Sequence, residues 1–347
     1  MQDIDNQTGE IGRHPMQGTV VPLLEVRNLS ISFRTANGVL NIVPDLSFSV
    51  GYGERLAVVG ESGSGKTITG LALIGLLPRN QAVLNGQILF EGRNLIGLSE
   101  QELRAFRGRQ IGMVFQEPMS ALDPVFTIGQ QIVETIRHHF GISARAARER
   151  AVEMLDKVGI PAARKRVDEY PHQLSGGMRQ RAMLAIALAC EPRMLIADEP
   201  TTALDVTIQA QILELMVRLS EETRTAILFI SHDLGAVSEV CSRMLTMYAG
   251  QLVEDAVLDA VLRRPLHPYT SGLLRSLPRF SRKGDRLPSI GGRVPPPTAM
   301  PSGCRFEQRC VHAIDACRNP QMVVTLPDGR RVCCHRHAEL HLPGSVD

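Results

Sequence analysis

Residues 60–67 read Gly60-Glu61-Ser62-Gly63-Ser64-Gly65-Lys66-Thr67, a G-x-x-x-x-G-K-T spacing. Backbone N–H groups of a glycine-rich turn can curl around a polyanion, and a following helix adds the positive end of its dipole. In such a loop Lys66 supplies a cation for the β- and γ-phosphates of a nucleoside triphosphate, and Thr67 a hydroxyl for Mg²⁺. Further on, Arg193-Met194-Leu195-Ile196-Ala197-Asp198-Glu199 is an apolar run closed by two carboxylates. Asp198 suits Mg²⁺, directly or through water. Glu199 is free to act as general base on an attacking water. A third stretch, Leu174-Ser175-Gly176-Gly177-Met178-Arg179-Gln180, places a hydroxyl and free N–H groups where an apolar-rich helical run from Met178 to Cys190 begins. That is an anion site, although Ser175 would equally serve as a plain N-cap.

These groups need elements to hold them. Arg55-Leu56-Ala57-Val58-Val59 has the pattern of a strand buried in a parallel sheet. Thr67 to Leu77 reads as a helix ended by Pro78. The loop therefore lies between strand and helix, which separates a phosphate loop from an ordinary glycine-rich turn. The acidic pair after the second strand could be a simple strand-end cap, but a phosphate loop in the same chain argues for metal and base. Ser231-His232-Asp233 follows the strand-like Ala226-Ile227-Leu228-Phe229-Ile230. A buried structural histidine is the ordinary alternative there, and the position just past a strand supports contact with the γ-phosphate.

Taken in order, these motifs resemble the ATPase subunit of an ABC transporter, over roughly Leu23 to Leu262. The resemblance implies an α/β fold: an ABC-type phosphate-loop ATPase core, an antiparallel β subdomain, a helical subdomain and a small cysteine-containing extension. It implies that Gly60, Ser62, Gly63, Ser64, Gly65, Lys66 and Thr67 bind ATP, and that Phe33 stacks on adenine, where tyrosine is commoner. Gln116 in Val114-Phe115-Gln116-Glu117-Pro118 resembles the Q-loop glutamine, which senses Mg²⁺ together with Thr67 and Asp198 and faces the membrane partner. Ser175, Gly176, Gly177 and Gln180 resemble the signature motif, which meets the γ-phosphate held by the opposite subunit. Thr202-Ala203-Leu204-Asp205 resembles the D-loop, with Thr202 where serine is more usual. His232 takes the place of the switch histidine, so that Glu199, His232 and Gln116 form the implied catalytic set.

The expected organisation is a disordered tail over residues 1–22, a nucleotide-binding domain over 23–262 with its helical subdomain at about 117–180, and an extension over 263–347. Leu24 to Phe33 and Leu46 to Val50 alternate like antiparallel strands, with a turn at Asn37-Gly38. Ile128 to Phe140 and Ser143 to Val158 are candidate helices around Gly141, with Gly159 and Pro161 closing the second. From Arg263 onward Pro265, Pro268, Pro278, Pro288 and Pro295-Pro296-Pro297 leave little room for a large core. His267-Pro268-Tyr269-Thr270 and the helix-like Leu273 to Leu277 resemble the extension of ATPases serving oligopeptide, dipeptide and nickel importers. Tyr170-Pro171-His172-Gln173 and Asp123-Pro124 resemble that subfamily as well.

Of seven cysteines, Cys190 and Cys241 lie in apolar segments, and five crowd into residues 304–334. In a cytosolic chain such crowding reads as metal rather than disulfide. Short Cys-x₂-Cys pairs typical of zinc are absent, and longer spacings suit an iron–sulfur cluster. Iron–sulfur, zinc and no metal all stay open on the residues. The subfamily resemblance implies a [4Fe–4S] cluster on Cys304, Cys310, Cys317 and Cys334, because its last ligand directly precedes a histidine, here His335. Cys333 is then the spare. Val311 stands where that family often has proline. Distance in sequence from the ATP motifs points to a structural job for the cluster.

A net charge of +2 argues against a nucleic-acid binder, and Arg145 to Arg150 and Arg164-Lys165-Arg166 read as solvated helix faces. No stretch is long and apolar enough to span a bilayer, and residues 1–20 have no secretion-signal core. The expected place is therefore peripheral, on the cytoplasmic face of a bacterial inner membrane. The implied partners are a second ABC ATPase subunit, identical or paralogous, two permease subunits and, indirectly, an extracytoplasmic solute-binding protein. The expected function is the ATP-hydrolysing motor of an importer of di- or oligopeptides. Nickel chelates or glutathione are alternative cargoes. A soluble ABC-type ATPase acting on ribosomes or nucleic acid is a second class, and an iron–sulfur redox sensor with a vestigial ATPase a third. The chain lacks the internal repeat or long heptad insertion of the second class, and intact Lys66, Asp198, Glu199 and His232 argue against the third.

Overall fold

A computed structural model describes residues 21–36, 38–202, 204–276 and 289–345. The expected tail thus lies outside the described residues except for Val21 and Pro22. So do Asn37 of the expected turn, Ala203 of the D-loop stretch, and Leu277, Pro278 and Pro288.

Strands β1 (Leu24–Thr35) and β2 (Gly38–Val50) pair antiparallel, from Leu24 opposite Val50 to Thr35 opposite Gly38. Their alternation turns Leu24, Val26, Leu46, Phe48 and Val50 to a buried face. β3 (Arg55–Val59) leads into the glycine-rich loop, and α1 (Lys66–Leu73) leads out of it. The helix stops short of Leu77 because Gly75 N–H bonds Ala72 C=O at 3.0 Å and Leu76 N–H bonds Leu71 C=O at 2.9 Å. This paired closure turns the chain before Pro78 can. β4 (Ala82–Phe90) pairs with β1 and β5 (Arg93–Asn94) with β4, completing an antiparallel sheet in the order β2-β1-β4-β5.

Helix α2 (Glu100–Phe106) opens on a capping box between Ser99 and Glu102, and β6 (Ile111–Val114) follows. A run of helices comes next: α3 (Pro118–Ala121), α4 (Ile128–Phe140), α5 (Ala144–Lys157), α6 (Ala163–Arg166) and α7 (Gly176–Leu188). α4 has the expected ends, since Thr127 and Gln130 form a capping box at one and Gly141 closes the other. Core elements then resume with β7 (Met194–Asp198), α8 (Val206–Thr223), β8 (Ala226–Ser231), α9 (Leu234–Val240), β9 (Arg243–Tyr248) and β10 (Gln251–Val257). The rest comprises α10 (Leu258–Arg263), α11 (Pro268–Arg275), β11 (Val324–Thr325) and β12 (Arg331–Val332).

The second sheet runs β11-β12-β10-β9-β3-β8-β7-β6, with β9, β3, β8, β7 and β6 mutually parallel. Both its faces are covered, which is why these strands are continuously apolar. Leu56, Val58, Met194 and Ile196 face a core shared with the antiparallel sheet. Ala57, Val59, Leu195 and Ala197 face a second core built with α4, α5, α7, α8 and α9. The parallel order brings the ends of β3, β7 and β8 to one edge, where open α/β sheets bind ligands.

The extension joins this sheet. β12 pairs with β10, Glu254 lying opposite Val332 and Asp255 opposite Arg331. Buried Asp255 accepts from Arg243 at 2.7 Å and from Arg331 at 3.3 Å, tying both strands to one carboxylate. Glu254, wholly buried, accepts N–H bonds from Leu266 at 2.8 Å and His267 at 3.1 Å. Burial pushes its carboxyl up to about 7, against the pull of those N–H groups. Glu254 therefore fixes the turn into α11, which gives the His267-Pro268-Tyr269-Thr270 stretch a structural reason.

Candidate functional site

Past β3 the chain must turn sharply under Met247. Gly60 has φ +156°, and a Cβ there would lie 2.2 Å from Met247 C=O, so only glycine fits. Lys66, almost wholly buried, sends Nζ back to Gly60 C=O at 2.7 Å, Glu61 C=O at 3.0 Å and Ser64 Oγ at 3.4 Å. Burial lowers its pKa, while the carboxylates of Glu199, Asp198 and Glu61 pull the other way. The loop walls a cavity of about 780 Å³, whose lining runs from Val59 to Ile68 and includes Gln116, Glu199, Thr202 and His232. That volume suits a nucleotide-sized ligand.

Thr67 Oγ1 donates to Asp198 Oδ1 at 3.2 Å. Two adjacent oxygens of an Mg²⁺ octahedron stand about 3 Å apart, given bonds of ~2.1 Å, so the pair fits that ion. Burial raises the pKa of Asp198, and the Thr67 hydroxyl partly offsets it. Magnesium would supply neutralising charge to the phosphates there.

Glu199 stands one residue past β7 with φ +46°, an uncommon backbone for a side chain of its kind. Its carboxylate meets three side chains: Gln116 Nε2 at 3.1 Å, Thr202 Oγ1 at 3.1 Å and His232 Nδ1 at 3.0 Å. The carboxylate is 16% exposed and the histidine 62%, so a sheltered acid is backed by groups open to the cavity. Gln116 and His232, more than a hundred residues apart in sequence, are thus brought to one oxygen pair. Sequence reasoning noted Thr202 only as a departure from serine, yet it touches Glu199 directly.

Ser175 caps α7, its Oγ accepting from Met178 N–H at 3.4 Å. Ser175 and Gly176 are exposed, and neither lines the cavity of their own chain. Gly177 lets α7 approach α8, since a Cβ there would lie 2.8 Å from Ile208. Gln180 is set apart from that exposed face: it is buried, and its amide nitrogen has no hydrogen-bond partner among the described residues. Asp205 caps α8 by accepting from Ile208 N–H at 2.9 Å.

With the site in view, comparison with known proteins decides the family. A model described as ABC transporter matches residues 43–202. A protein of Brucella abortus (strain 2308), named as a peptide import ATP-binding protein, is 51% identical over 313 residues, 90% of this chain and 94% of that one. The chain belongs to the ABC transporter ATPase family. The oligopeptide transport ATP-binding protein AppD of Bacillus subtilis (strain 168) is 48% identical over 319 residues, 91% of this chain and 97% of that one. The dimeric structure of MJ0796, a bacterial ABC transporter cassette, is similar with a TM-score of 0.60 at 25% identity, covering 68% of this chain and 98% of that one. A second model, described as the oligopeptide/dipeptide transporter C-terminal region, matches residues 253–317.

As an ABC ATPase the chain binds and hydrolyses ATP. Phe33 lies on β1 opposite Leu40 and Ala82, half-buried against the core, and is not among the residues lining the phosphate cavity. The extension contributes residues that sequence reasoning did not find. Leu273 and Ser276 line the phosphate-loop cavity, Tyr269 Oη accepts from Glu61 N–H at 2.7 Å, and Arg309 binds the Glu61 carboxylate. No local pattern announces them, because the contact between Glu61 and Arg309 spans 248 residues.

Five of the seven cysteines of this ABC ATPase lie in the same extension, where Cys304 and Cys310 pack against the cluster of Tyr248, Tyr269 and Phe306. Cys304 N–H donates to Cys317 C=O at 2.8 Å, and the thiols of Cys304, Cys310, Cys317, Cys333 and Cys334 all take part in electrostatic contacts with one another. Cys333 N–H bonds Val253 C=O at 2.9 Å, and its Sγ accepts from Gln251 at 3.5 Å. Burial pushes the Cys304 thiol up to about 12 and Cys334 to about 11. Among the described residues no three His, Cys, Asp or Glu side chains are grouped so that they could hold a metal ion. The expected [4Fe–4S] cluster thus gains no direct support from the arrangement. A four-iron cluster takes one thiolate per iron, so its ligands do not crowd around a single centre as a lone ion's would.

Proposed function

We propose that this chain is the ATP-hydrolysing motor subunit of an importer of di- or oligopeptides. The observation that carries it is Glu199, held by Gln116, Thr202 and His232 at the mouth of the phosphate-loop cavity. The peptide cargo rests on the names of relatives about half identical to this chain and on the match to the oligopeptide/dipeptide transporter region. In this reading Glu199 is the general base, and His232 and Gln116 orient it and the attacking water. Thr67, Asp198 and Gln116 hold Mg²⁺, and residues 60–67 cradle the phosphates. Phe33 stacks on adenine beyond the cavity wall.

The motor works as a pair. Ser175 and Gly176, exposed and away from their own cavity, meet the γ-phosphate of a second ATPase subunit, with Gly177, Gln180 and Asp205 shaping that interface. Closure of the pair moves two permease subunits fed by a solute-binding protein, with this chain on the cytoplasmic face of the inner membrane. Among the described residues no helix is long and apolar enough to cross a membrane, so the crossing falls to those partners. Residues 23–262 form the cassette and 263–347 the extension. The basic stretches do not favour a nucleic-acid reading, since Arg148 pairs with Asp168, Arg164 with Glu149 and Arg166 with Glu169.

The chain, assembled with the two permeases in vesicles, should hydrolyse ATP faster when peptide-loaded binding protein is added, and labelled peptide should enter. Turnover indifferent to peptide but stimulated by a nickel chelate or glutathione would reassign the cargo. A chain that joins no permease would overturn the transporter reading.

In the extension we read Cys304, Cys310, Cys317 and Cys334 as ligands of a [4Fe–4S] cluster, with Cys333 left to its bonds with Val253 and Gln251. Anaerobically purified protein should then be brown, absorb broadly near ~400 nm and hold about four irons per chain. Replacing any of the four by Ser should remove the colour, and Cys333→Ser should keep it. Zinc in place of iron would sink this reading. Colour lost only with Cys333→Ser would move the ligand by one residue.

A further inference from the structure

Glu61 is the first variable residue of the phosphate loop, and a G-x-x-x-x-G-K-T spacing asks for no acid there. Every polar group of this residue is nevertheless engaged. The carboxylate accepts from Arg309 Nη1 at 2.8 Å and Nη2 at 3.0 Å, a forked pair. The N–H donates to Tyr269 Oη at 2.7 Å. The C=O accepts from Lys66 Nζ at 3.0 Å. One residue thus links the extension to the lysine of the ATP site.

Arg309 is itself built in. Its side chain is 5% exposed, donates to Gly291 C=O at 2.8 Å and lies over the rings of Tyr248 and Phe306 at 5.6 and 5.8 Å. Tyr269 is fully buried, and its ring meets that of Tyr248 at 4.7 Å, nearly edge-on, and that of Phe306 at 5.4 Å. Phe306 and Arg309 both lie between Cys304 and Cys310, so the cysteine loop carries the aromatic support and the guanidinium together.

We propose that Arg309 and Tyr269 are positioning residues for the phosphate loop, through which the cysteine-bearing extension sets the affinity for nucleotide. A carboxylate beside a triphosphate site opposes polyanion binding unless a cation neutralises it and holds it aside. Arg309 does both. Tyr269 holds the Glu61 N–H and so fixes the Gly60–Glu61 peptide, whose Gly60 carbonyl faces Lys66 Nζ at 2.7 Å. Without Arg309, Glu61 becomes an unpaired negative charge next to the phosphates and competes for Lys66. Glu199 and His232 follow β7 and β8, and the hydrogen bonds of Glu199 go to Gln116, Thr202 and His232, none of them to Glu61, Tyr269 or Arg309. The loss should therefore fall on binding, in KM, rather than on the chemical step.

The inference rests on the chain being an ATPase, and the test uses the full chain with a fluorescent ATP analogue and steady-state hydrolysis. Arg309→Met should raise Kd and KM about tenfold, equivalent to ~1.4 kcal/mol, with kcat within about twofold of wild type. Arg309→Lys keeps the charge but loses the fork, and should fall between. Adding Glu61→Gln to Arg309→Met removes the orphaned charge and should recover most of the affinity. A wild-type chain without nucleotide affinity would overturn the ATPase reading and the clamp with it. A wild-type chain that binds, with Arg309→Met binding equally well, would overturn the clamp alone. So would a loss that Glu61→Gln does not relieve, since that marks mere loss of packing. Should Arg309→Met fail to fold, Arg309→Lys and Tyr269→Phe carry the test: both must raise Kd, and unchanged affinity in both refutes the clamp.

Discussion

Replacing Glu199 by glutamine should slow ATP turnover by roughly 10²–10⁴-fold while leaving ATP binding intact. The amide has nearly the shape of the carboxylate and can still accept from Thr202, so the local structure should hold. What it cannot do is take a proton from water. Removing the carboxylate also removes its repulsion toward a γ-phosphate, so an ATP-bound assembly should accumulate rather than cycle. Glu199 is suited to this role and Asp198 is not, although both are acids at the end of β7. Asp198 is engaged with Thr67 at 3.2 Å, in the position proposed for Mg²⁺. Glu199 turns away through a left-handed backbone with φ +46° to face Gln116, Thr202 and His232. Single-turnover hydrolysis and gel filtration of ATP-loaded protein measure the two effects separately. A Glu199→Gln chain with wild-type turnover would remove Glu199 from the role.

Three candidate site residues that the sequence made legible share one trait: each lies beyond the C-terminal end of a buried parallel strand, Lys66 across the glycine-rich loop and Glu199 and His232 directly. Lys66, Glu199 and His232 follow β3, β7 and β8, and a parallel sheet sends all three to one edge. Strand identity could be read because burial on both faces makes these strands continuously apolar. Element ends were legible where capping chemistry is local, as at Thr127 and Gly141 around α4. They were not where tertiary contacts decide. The apolar run to Leu77 hides the closure of α1 at Leu73. β2 begins at Gly38, well before its alternation becomes clean at Leu46, because β1 pairs with it along nearly its whole length. Register shifts between Val26 and Ser32 in β1 blur the period-two pattern. Distance along the chain proved the poorest guide. The extension looks remote from the ATP motifs in sequence, yet β12 joins the core sheet and Arg309 reaches the phosphate loop. Such a contact leaves no periodicity behind.

Mixing two inactive chains should restore activity if the signature serine, Ser175 at the N-cap of α7, acts on a neighbour's nucleotide. Within its own chain Ser175 has only a capping job, accepting from Met178 N–H. Arginine at position 175 would lose that cap at a cost of about 1 kcal/mol, too little to abolish hydrolysis through stability alone. In a paired assembly it would instead push bulk into the place where N–H groups of α7 meet the opposite γ-phosphate. Lys66→Ala acts differently, deleting a charge-assisted contact to phosphate within its own loop. Each homodimer then carries two damaged sites and should be nearly inactive. A mixed dimer carries both lesions in one composite site and none in the other. Random pairing of equal amounts puts half the dimers in the mixed state, so independent sites would give about a quarter of wild-type turnover. Required cooperation between the two sites would lower that figure, and activity still above both parents would show action in trans. Full activity of Ser175→Arg alone would refute that role. No recovery in the mixture, with subunit exchange verified by differently tagged chains, would mean that each lesion damages its own chain's site, so that Ser175 acts in cis. Where the natural partner is a paralogue, the same pair of substitutions is divided between the two chains of the assembled complex, and the placement that keeps one composite site whole should retain turnover.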